Sequence, residues 1–276
     1  MLKITKIVLL SLTAVLTVLF SARFVQKHFF TDSTPPVISF DSDVLEISVK
    51  GGEGELLSGV TAEDNKDGDI TGEVAVKSIS KLIGKDTAKI TYIVFDKSDN
   101  MAVRSRTLRY TDYKKPEFAL SKALVFEPGE TVRLKDRLSA SDSVDGDITD
   151  AIKVTATSLN NAAEGIYPVT VQVTNSLGDT SSVKLYVTIA RYGLYDPYIE
   201  LTDYLVYIEE GTKFDPYSYI KSLWDKKYGG NEIFSRSDIK VETELDTAVP
   251  GDYSVRYTYT NEQGYEYCAV LAAVVE

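Results

Sequence analysis

One unit of about eighty residues is written three times in this chain, and that period constrains the fold more than any other feature. The copies open on Pro36-Val37-Ile38, Pro116-Glu117-Phe118 and Pro197-Tyr198-Ile199, with the prolines 80 and 81 residues apart. Each closes with alternating apolar residues and a polar turn. In the first copy these are Ile90, Tyr92 and Val94, then Asp96-Lys97-Ser98-Asp99-Asn100. The second has Val169, Val171 and Val173 before Asn175-Ser176-Leu177-Gly178-Asp179, and the third has Val255, Tyr257 and Tyr259 before Asn261-Glu262-Gln263-Gly264-Tyr265. Apolar residues at period two, followed by Asp or Asn and Gly, predict a half-buried strand entering a hairpin. Copies one and two also share a middle segment, Asp64-Asn65-Lys66-Asp67-Gly68-Asp69-Ile70-Thr71 and Asp142-Ser143-Val144-Asp145-Gly146-Asp147-Ile148-Thr149. Six of those eight positions are identical.

Short β runs broken by turn residues, with no convincing helical stretch after the amino terminus, predict an all-β chain of three tandem antiparallel sandwiches. The boundaries fall at 32–113, 114–193 and 194–276. Linkers near 110–115 and 191–196 are short and carry tyrosine, so a fairly stiff rod is expected.

The amino terminus, residues 1–31, is different. Ile7 to Ala22 is a run of sixteen uncharged residues, flanked by Lys3 and Lys6 on one side and Arg23 and Lys27 on the other. A helix from Ile4 to Val25 would span roughly the ~30 Å hydrocarbon core of a bilayer. A retained single-pass anchor and a cleaved secretory signal compete for this segment. Signal peptidase needs small residues three and one positions before its cut. Cleavage after Ala22 would place Phe20 at the outer of those positions, and cleavage after Ser21 would place Leu19 there. The anchor reading is therefore expected, with the residues after about 25 outside the cell.

The pattern Asp-x-x-Asp-Gly-Asp-Ile-Thr, followed by an alternating strand and a turn of the type Asp-x-x-Gly-Asn, resembles the tandem bacterial Ig-like domains of Gram-positive surface proteins, in the subfamily named after an insecticidal crystal toxin. In copy one Asp99 stands where that family usually has Gly; copy two has Asn175 for the first Asp and Asp179 for the last Asn. Copy three keeps the opening proline, Gly211-Thr212-Lys213-Phe214-Asp215 and the closing strand. The resemblance implies an extracellular, non-catalytic module used for spacing, adhesion or ligand contact. It implies no particular ligand.

Composition excludes several functions. The chain carries 41 acidic and 30 basic residues. Since the first 31 residues hold four bases and no acids, the remainder has a net charge of −15. A surface of that sign repels phosphate, so no nucleic-acid partner is expected. One histidine and one cysteine rule out most His/Cys zinc sites and any intrachain disulfide, and argue against Cys–His catalysis. His28 lies beside the apolar run, away from any serine triad. Asp-Gly-Asp in an exposed turn lacks the cleft and the raised pKa that glycoside hydrolysis requires. The chain is not expected to be an enzyme. The stretch Gly51-Gly52-Glu53-Gly54-Glu55 lacks the Gly-Lys-Ser/Thr of a phosphate loop and reads as a hairpin turn.

Two groups of residues are candidates for binding. Asp64, Asp67 and Asp69, and likewise Asp142, Asp145 and Asp147, could offer oxygens to Ca²⁺. The competing and favoured reading is structural: Gly68 and Gly146 supply a positive φ and the aspartates cap local N–H groups. No cofactor is therefore expected, calcium being the one alternative. Thirteen of 18 tyrosines lie after residue 191. Tyr253, Tyr257 and Tyr259 share a strand face with Val255 and read as core. Tyr217, Tyr219, Trp224, Lys226, Lys227 and Tyr228 fall in an irregular segment where the third copy has lost the Asp-Gly-Asp turn. They form the expected contact surface for a cell-surface or envelope protein or a glycan, with packing under a longer loop as the alternative. The leading functional reading is a membrane-anchored extracellular spacer or adhesion protein. A structural subunit of an envelope assembly and a secreted carbohydrate-binding accessory are the alternatives.

Overall fold

The computed structural model describes residues 2–25, 32–193, 197–225 and 235–276. The chain is mostly β, behind one amino-terminal helix, α1 (Leu2–Val25). Within α1 the stretch Val8–Val25 has a mean hydropathy of 2.1 and none of it is buried in protein. Three of its hydroxyls bond back along the helix: Ser11 donates to the Val8 carbonyl, Thr13 to Leu9 and Leu10, and Thr17 to Thr13 and Ala14. A helix whose hydroxyls bond back along its own turns, and whose charged residues Lys3, Lys6 and Arg23 lie near its two ends, suits a lipid interior. By length and composition it can serve as a membrane anchor or a signal sequence.

The first repeat contains β1 (Val37–Phe40), β2 (Val44–Ile47), β3 (Val60–Asp64), β4 (Gly68–Asp69), β5 (Ala75–Ile79), β6 (Thr87–Phe95) and β7 (Met101–Tyr110). They make two sheets, in the orders β1-β3-β4 and β2-β7-β6-β5. The opening segment thus changes sheets, with β1 antiparallel to β3 and β2 parallel to β7. Strand β6 alternates as its sequence dictates, with Ala88, Ile90, Tyr92 and Val94 turned into the core. The glycine stretch from Gly51, expected as a hairpin turn, instead forms a short helical turn over Glu53–Leu56.

The second repeat copies this plan with β8 (Glu117–Leu120), β9 (Val125–Phe126), β10 (Leu138–Asp142), β11 (Gly146–Asp147), β12 (Lys153–Thr157), β13 (Gly165–Thr174) and β14 (Thr180–Ile189). The sheet orders are β11-β10-β8 and β12-β13-β14-β9. Even the irregularity recurs: a bulge interrupts β5 between Val76 and Ser78, and β12 between Val154 and Ala156. The third repeat comprises β15 (Tyr198–Leu201), β16 (Leu205–Ile208), β17 (Ile220–Trp224), β18 (Lys240–Thr243), β19 (Gly251–Thr260) and β20 (Glu266–Val275). Its sheets are β15-β17 and β16-β20-β19-β18. Val255, Tyr257 and Tyr259 are buried, and Tyr253 is half-buried, as their shared strand face predicts.

The chain divides into two compact units, Met1–Thr111 and Asp112–Glu276. In the second unit Ala272 of β20 belongs to the core of the second repeat, and Leu205 and Val274 pack against it. The Phe118 N–H donates to the Tyr207 hydroxyl at 2.9 Å, the Lys184 N–H donates to Asp252 Oδ2 at 3.1 Å, and Lys115 pairs with Glu276. Desolvation at this junction pushes the Tyr207 hydroxyl up to about 12 and raises the Asp252 carboxyl above its ordinary value. The sequence does hold a signal for this packing. Ala269 to Val275 is an unbroken apolar run, the mark of a strand covered on both faces rather than one.

Candidate functional site

The two Asp-Gly-Asp segments are tight antiparallel turns. In the first, Asp64 ends β3 and Gly68 begins β4; in the second, Asp142 ends β10 and Gly146 begins β11. Gly68 has φ of +71° and Gly146 of +74°, a region that excludes most side chains. Asp64 Oδ1 accepts the N–H groups of Lys66 and Asp67 at 2.8 and 2.9 Å, and Asp142 Oδ1 accepts those of Val144 and Asp145. The two backbone bonds, that from Asp67 first, hold the Asp64 carboxyl below its ordinary value.

The remaining acids of these segments turn to other partners. Asp67 Oδ2 accepts the Lys97 N–H at 2.9 Å and Asp67 pairs with the Lys97 ammonium at 3.3 Å. Asp145 binds Ser176 through both its N–H and its hydroxyl. Asp69 and Asp147 accept the N–H groups of Thr71 and Thr149, each at 2.9 Å. Of the six, one lies in a cluster of carboxylates that could hold a metal, and its companions there are not its sequence neighbours.

That residue is Asp64. The start of β1, the end of β3 and the end of β6 meet at one end of the first repeat, and they bring Asp32, Asp64 and Asp96 together. One donor oxygen from each lies within 4.8 Å of the other two. All three are buried, Asp32 at 6%, Asp64 at 7% and Asp96 at 6% exposure. Each carboxylate is oriented by its own loop. Asp32 Oδ1 accepts the Thr34 N–H at 2.9 Å. Asp96 Oδ1 accepts the N–H groups of Ser98 and Asn100, and its Oδ2 accepts the Asn100 side-chain amide at 2.7 Å. Asp32 Oδ2 and Asp64 Oδ2 are buried with no hydrogen-bond partner among the described residues. Such an orphan costs about 1–3 kcal/mol, and more when charged. Among the described residues one cation stands near, the Lys66 ammonium at 4.0 Å from Asp32 Oδ1, with its side chain half exposed.

Among the described residues, the corresponding corners of the other repeats hold no such orphans. In the second repeat Asn175 takes the place of Asp96, and its amide donates to Asp142 Oδ2 at 2.6 Å and to the Tyr113 hydroxyl at 3.0 Å. Tyr113 in turn donates to Asp179 Oδ2 at 2.6 Å. In the third, Asp225 holds the position of Asp64 and its Oδ2 accepts the Tyr259 hydroxyl at 2.6 Å. Sequence reasoning missed Asp32 and Asp96 as partners of Asp64. The available signal was positional: one flanks the opening proline and the other opens the closing turn, and antiparallel pairing must bring those points together.

The aromatic candidates of the third repeat separate. Tyr219 stacks on Phe214 at 5.5 Å and packs against the core, where burial raises its hydroxyl above the ordinary value. Tyr217 lies under the Arg236 guanidinium, 5.2 Å from its ring centre, while Arg236 pairs with Asp215 at 3.2 Å. Trp224 ends β17 in register with Tyr198, and the two rings stack at 6.0 Å with an interplanar angle of 17°. Tyr198 is 43% exposed. Its ring also meets Tyr267 edge-on at 6.5 Å, and Tyr267 meets Tyr192 at 4.7 Å. Lys226, Lys227 and Tyr228 lie outside the described residues. Cys268 is half-buried as a free thiol, and desolvation raises its pKa.

No protein-family model matches the chain. A curated relative, the pesticidal crystal protein Cry22Aa of Bacillus thuringiensis, is 34% identical over 134 residues. The match takes in 46% of this chain, which spans only 17% of that protein's length. Among solved structures, the CBM51-2 domain in complex with GlcNAc and INT domains of Clostridium perfringens ZmpB aligns with 86% of this chain and 41% of its own, at 16% identity and a TM-score of 0.23. The protocadherin GammaB4 extracellular domain aligns with 88% of this chain and 51% of its own, at 13% identity and a TM-score of 0.23. Superpositions this loose fix neither fold nor function.

Proposed function

We propose that the chain is a membrane-anchored, non-enzymatic surface protein whose β repeats stand outside the cell. In this reading the third repeat makes the specific contact, with a cell-surface or envelope protein or a glycan. The observation that carries it is α1, whose Val8–Val25 stretch is wholly unburied and leads into a chain otherwise built of acidic β repeats. Apolar surface on that scale needs a nonpolar surrounding, and the bilayer supplies one. The likeness of part of the chain to part of Cry22Aa supports the sequence-level resemblance to Ig-like modules.

Within the third repeat, the stacked and partly exposed Tyr198–Trp224 pair supports the contact role, because aromatic faces bind sugar rings and anchor protein contacts. Intact-mass measurement on membrane-extracted protein tests the anchor: it should retain Met1–Phe24, and a mature terminus between Ser21 and Thr31 would refute retention. Full-length protein in detergent, probed on glycan and surface-protein arrays, tests the contact. Trp224→Ala and Tyr198→Ala should each lower the signal at least tenfold with the β circular dichroism unchanged. Equal signals from folded variants would place the contact elsewhere.

A further inference from the structure

We infer that the first repeat binds one calcium ion between Asp32, Asp64 and Asp96. Three features of this corner lead there, and none depends on what the third repeat contacts.

The first is the donor set. It is all carboxylate oxygen, the chemistry of a hard cation, and it excludes the softer metals that prefer nitrogen or sulfur. The second is spacing. Two oxygens on one Ca²⁺, each at about 2.3–2.6 Å, can stand at most about 4.6–5.2 Å apart. The three donors here lie within 4.8 Å of one another. The third is unmet demand. Asp32 Oδ2 and Asp64 Oδ2 are more than nine-tenths buried without a hydrogen-bond partner, while their Oδ1 atoms are committed to Thr34, Lys66 and Asp67.

Charge agrees with valence. Among the described residues, three carboxylates and the nearby ammonium of Lys66 leave two negative charges for a divalent ion to neutralise. Waters would complete the coordination of a calcium ion, which takes six to eight oxygens.

The other repeats provide an internal control. Where the first repeat has Asp96, the second has Asn175, whose amide donates to Asp142 Oδ2 in the position a cation would hold. The third meets the same need at Asp225 with the Tyr259 hydroxyl. The second and third repeats thus meet the matching carboxylate with a neutral side-chain donor, and among the described residues Asp32 Oδ2 and Asp64 Oδ2 of the first repeat have none.

The site would join three separate stretches. Asp32 lies seven residues beyond the end of α1, Asp64 ends β3 and Asp96 follows β6. Bound calcium fixes the start of the first repeat to its two neighbouring turns.

The test is calorimetric titration of calcium chloride into full-length protein in detergent micelles, after removal of bound ions with a chelator. One saturable site is expected, with a dissociation constant on the order of 10⁻⁵–10⁻³ M, and at least tenfold weaker magnesium binding. Asp64→Asn and Asp96→Asn should each weaken calcium at least tenfold, whereas Asp142→Asn, at the matching position of the second repeat, should not change it. Circular dichroism confirms folding of each variant. Asp96→Asn also guards against a trivial loss, since it copies the amide that the second repeat already accommodates. Absence of saturable calcium binding in the parent overturns the proposal. So does binding that survives in both folded first-repeat variants, and magnesium binding as tightly as calcium overturns the choice of metal.

Discussion

The first and second repeats share strand orders, an Asp-Gly-Asp turn and a bulge at the same place, yet they settle one corner in opposite ways. In the second, Asp142, Asn175, Tyr113 and Asp179 form a closed chain of hydrogen bonds. In the first, Asp32, Asp64 and Asp96 bring three like charges together and leave two oxygens unpaired. Backbone geometry is common to both, so the difference rests on a few side chains. An amide or a hydroxyl makes the corner self-sufficient, and a third carboxylate makes it depend on something outside the chain. The lesson is that a fold can be copied faithfully while its dependence on solvent ions is rewritten.

Asn175→Asp attacks the comparison most directly. It removes the donor to Asp142 and Tyr113 and adds a charge beside Asp142 and Asp179, so the second unit should lose about 3 kcal/mol in urea denaturation. A loss near zero would show that the amide is not what closes this corner. Tyr113→Phe removes the hydroxyl that donates to Asp179 and accepts from Asn175, and should destabilise the same unit by about 1–2 kcal/mol by the same measurement.

In the first repeat, Asp96→Asn imports the second repeat's solution. In the presence of a chelator it should stabilise the first unit by about 1 kcal/mol, read as a shift of its denaturation midpoint. Asp99 is a smaller case. It sits at φ of +64°, where the matching turns have Gly178 at +80° and Gly264 at +82°. Asp99→Gly should therefore raise stability by about 0.5–1 kcal/mol.

The smallest contrast is one that should vanish. The carboxyls of Asp69 and Asp147 are both held below their ordinary value, by the hydroxyl and then the N–H of Thr71 and Thr149 respectively. A depressed folded-state pKa contributes stability above the unfolded value and loses it as pH falls through the folded one. Acid titration below about pH 4 should thus lower the two units alike through this pair. Asp69→Asn and Asp147→Asn should reduce that acid sensitivity equally.

Much of the fold is written in local pattern. The period of Pro36, Pro116 and Pro197, the alternation of Ile90, Tyr92 and Val94, and the glycines of the two turns each act over a few residues, so strands and turns can be read directly. The cluster could not be read that way. Asp64, Asp67 and Asp69 are neighbours in sequence, but a tight turn points their side chains at different partners. Asp32 and Asp96 reach Asp64 only through the pairing of β1 with β3 and the stacking of two sheets. Trp224 was legible as a residue out of pattern, and its partner Tyr198 was hidden because their stacking depends on the β15–β17 register.

The shared core of the second and third repeats bears on how such a chain can be inherited. A duplication or exchange that cut between 190 and 197 would leave the second repeat without Ala272 and with no cover from Leu205 and Val274. It would also expose the apolar face of β20 to water. Keeping both cores covered would therefore require an exchange to move these two repeats as one piece, although the sequence writes them as two copies.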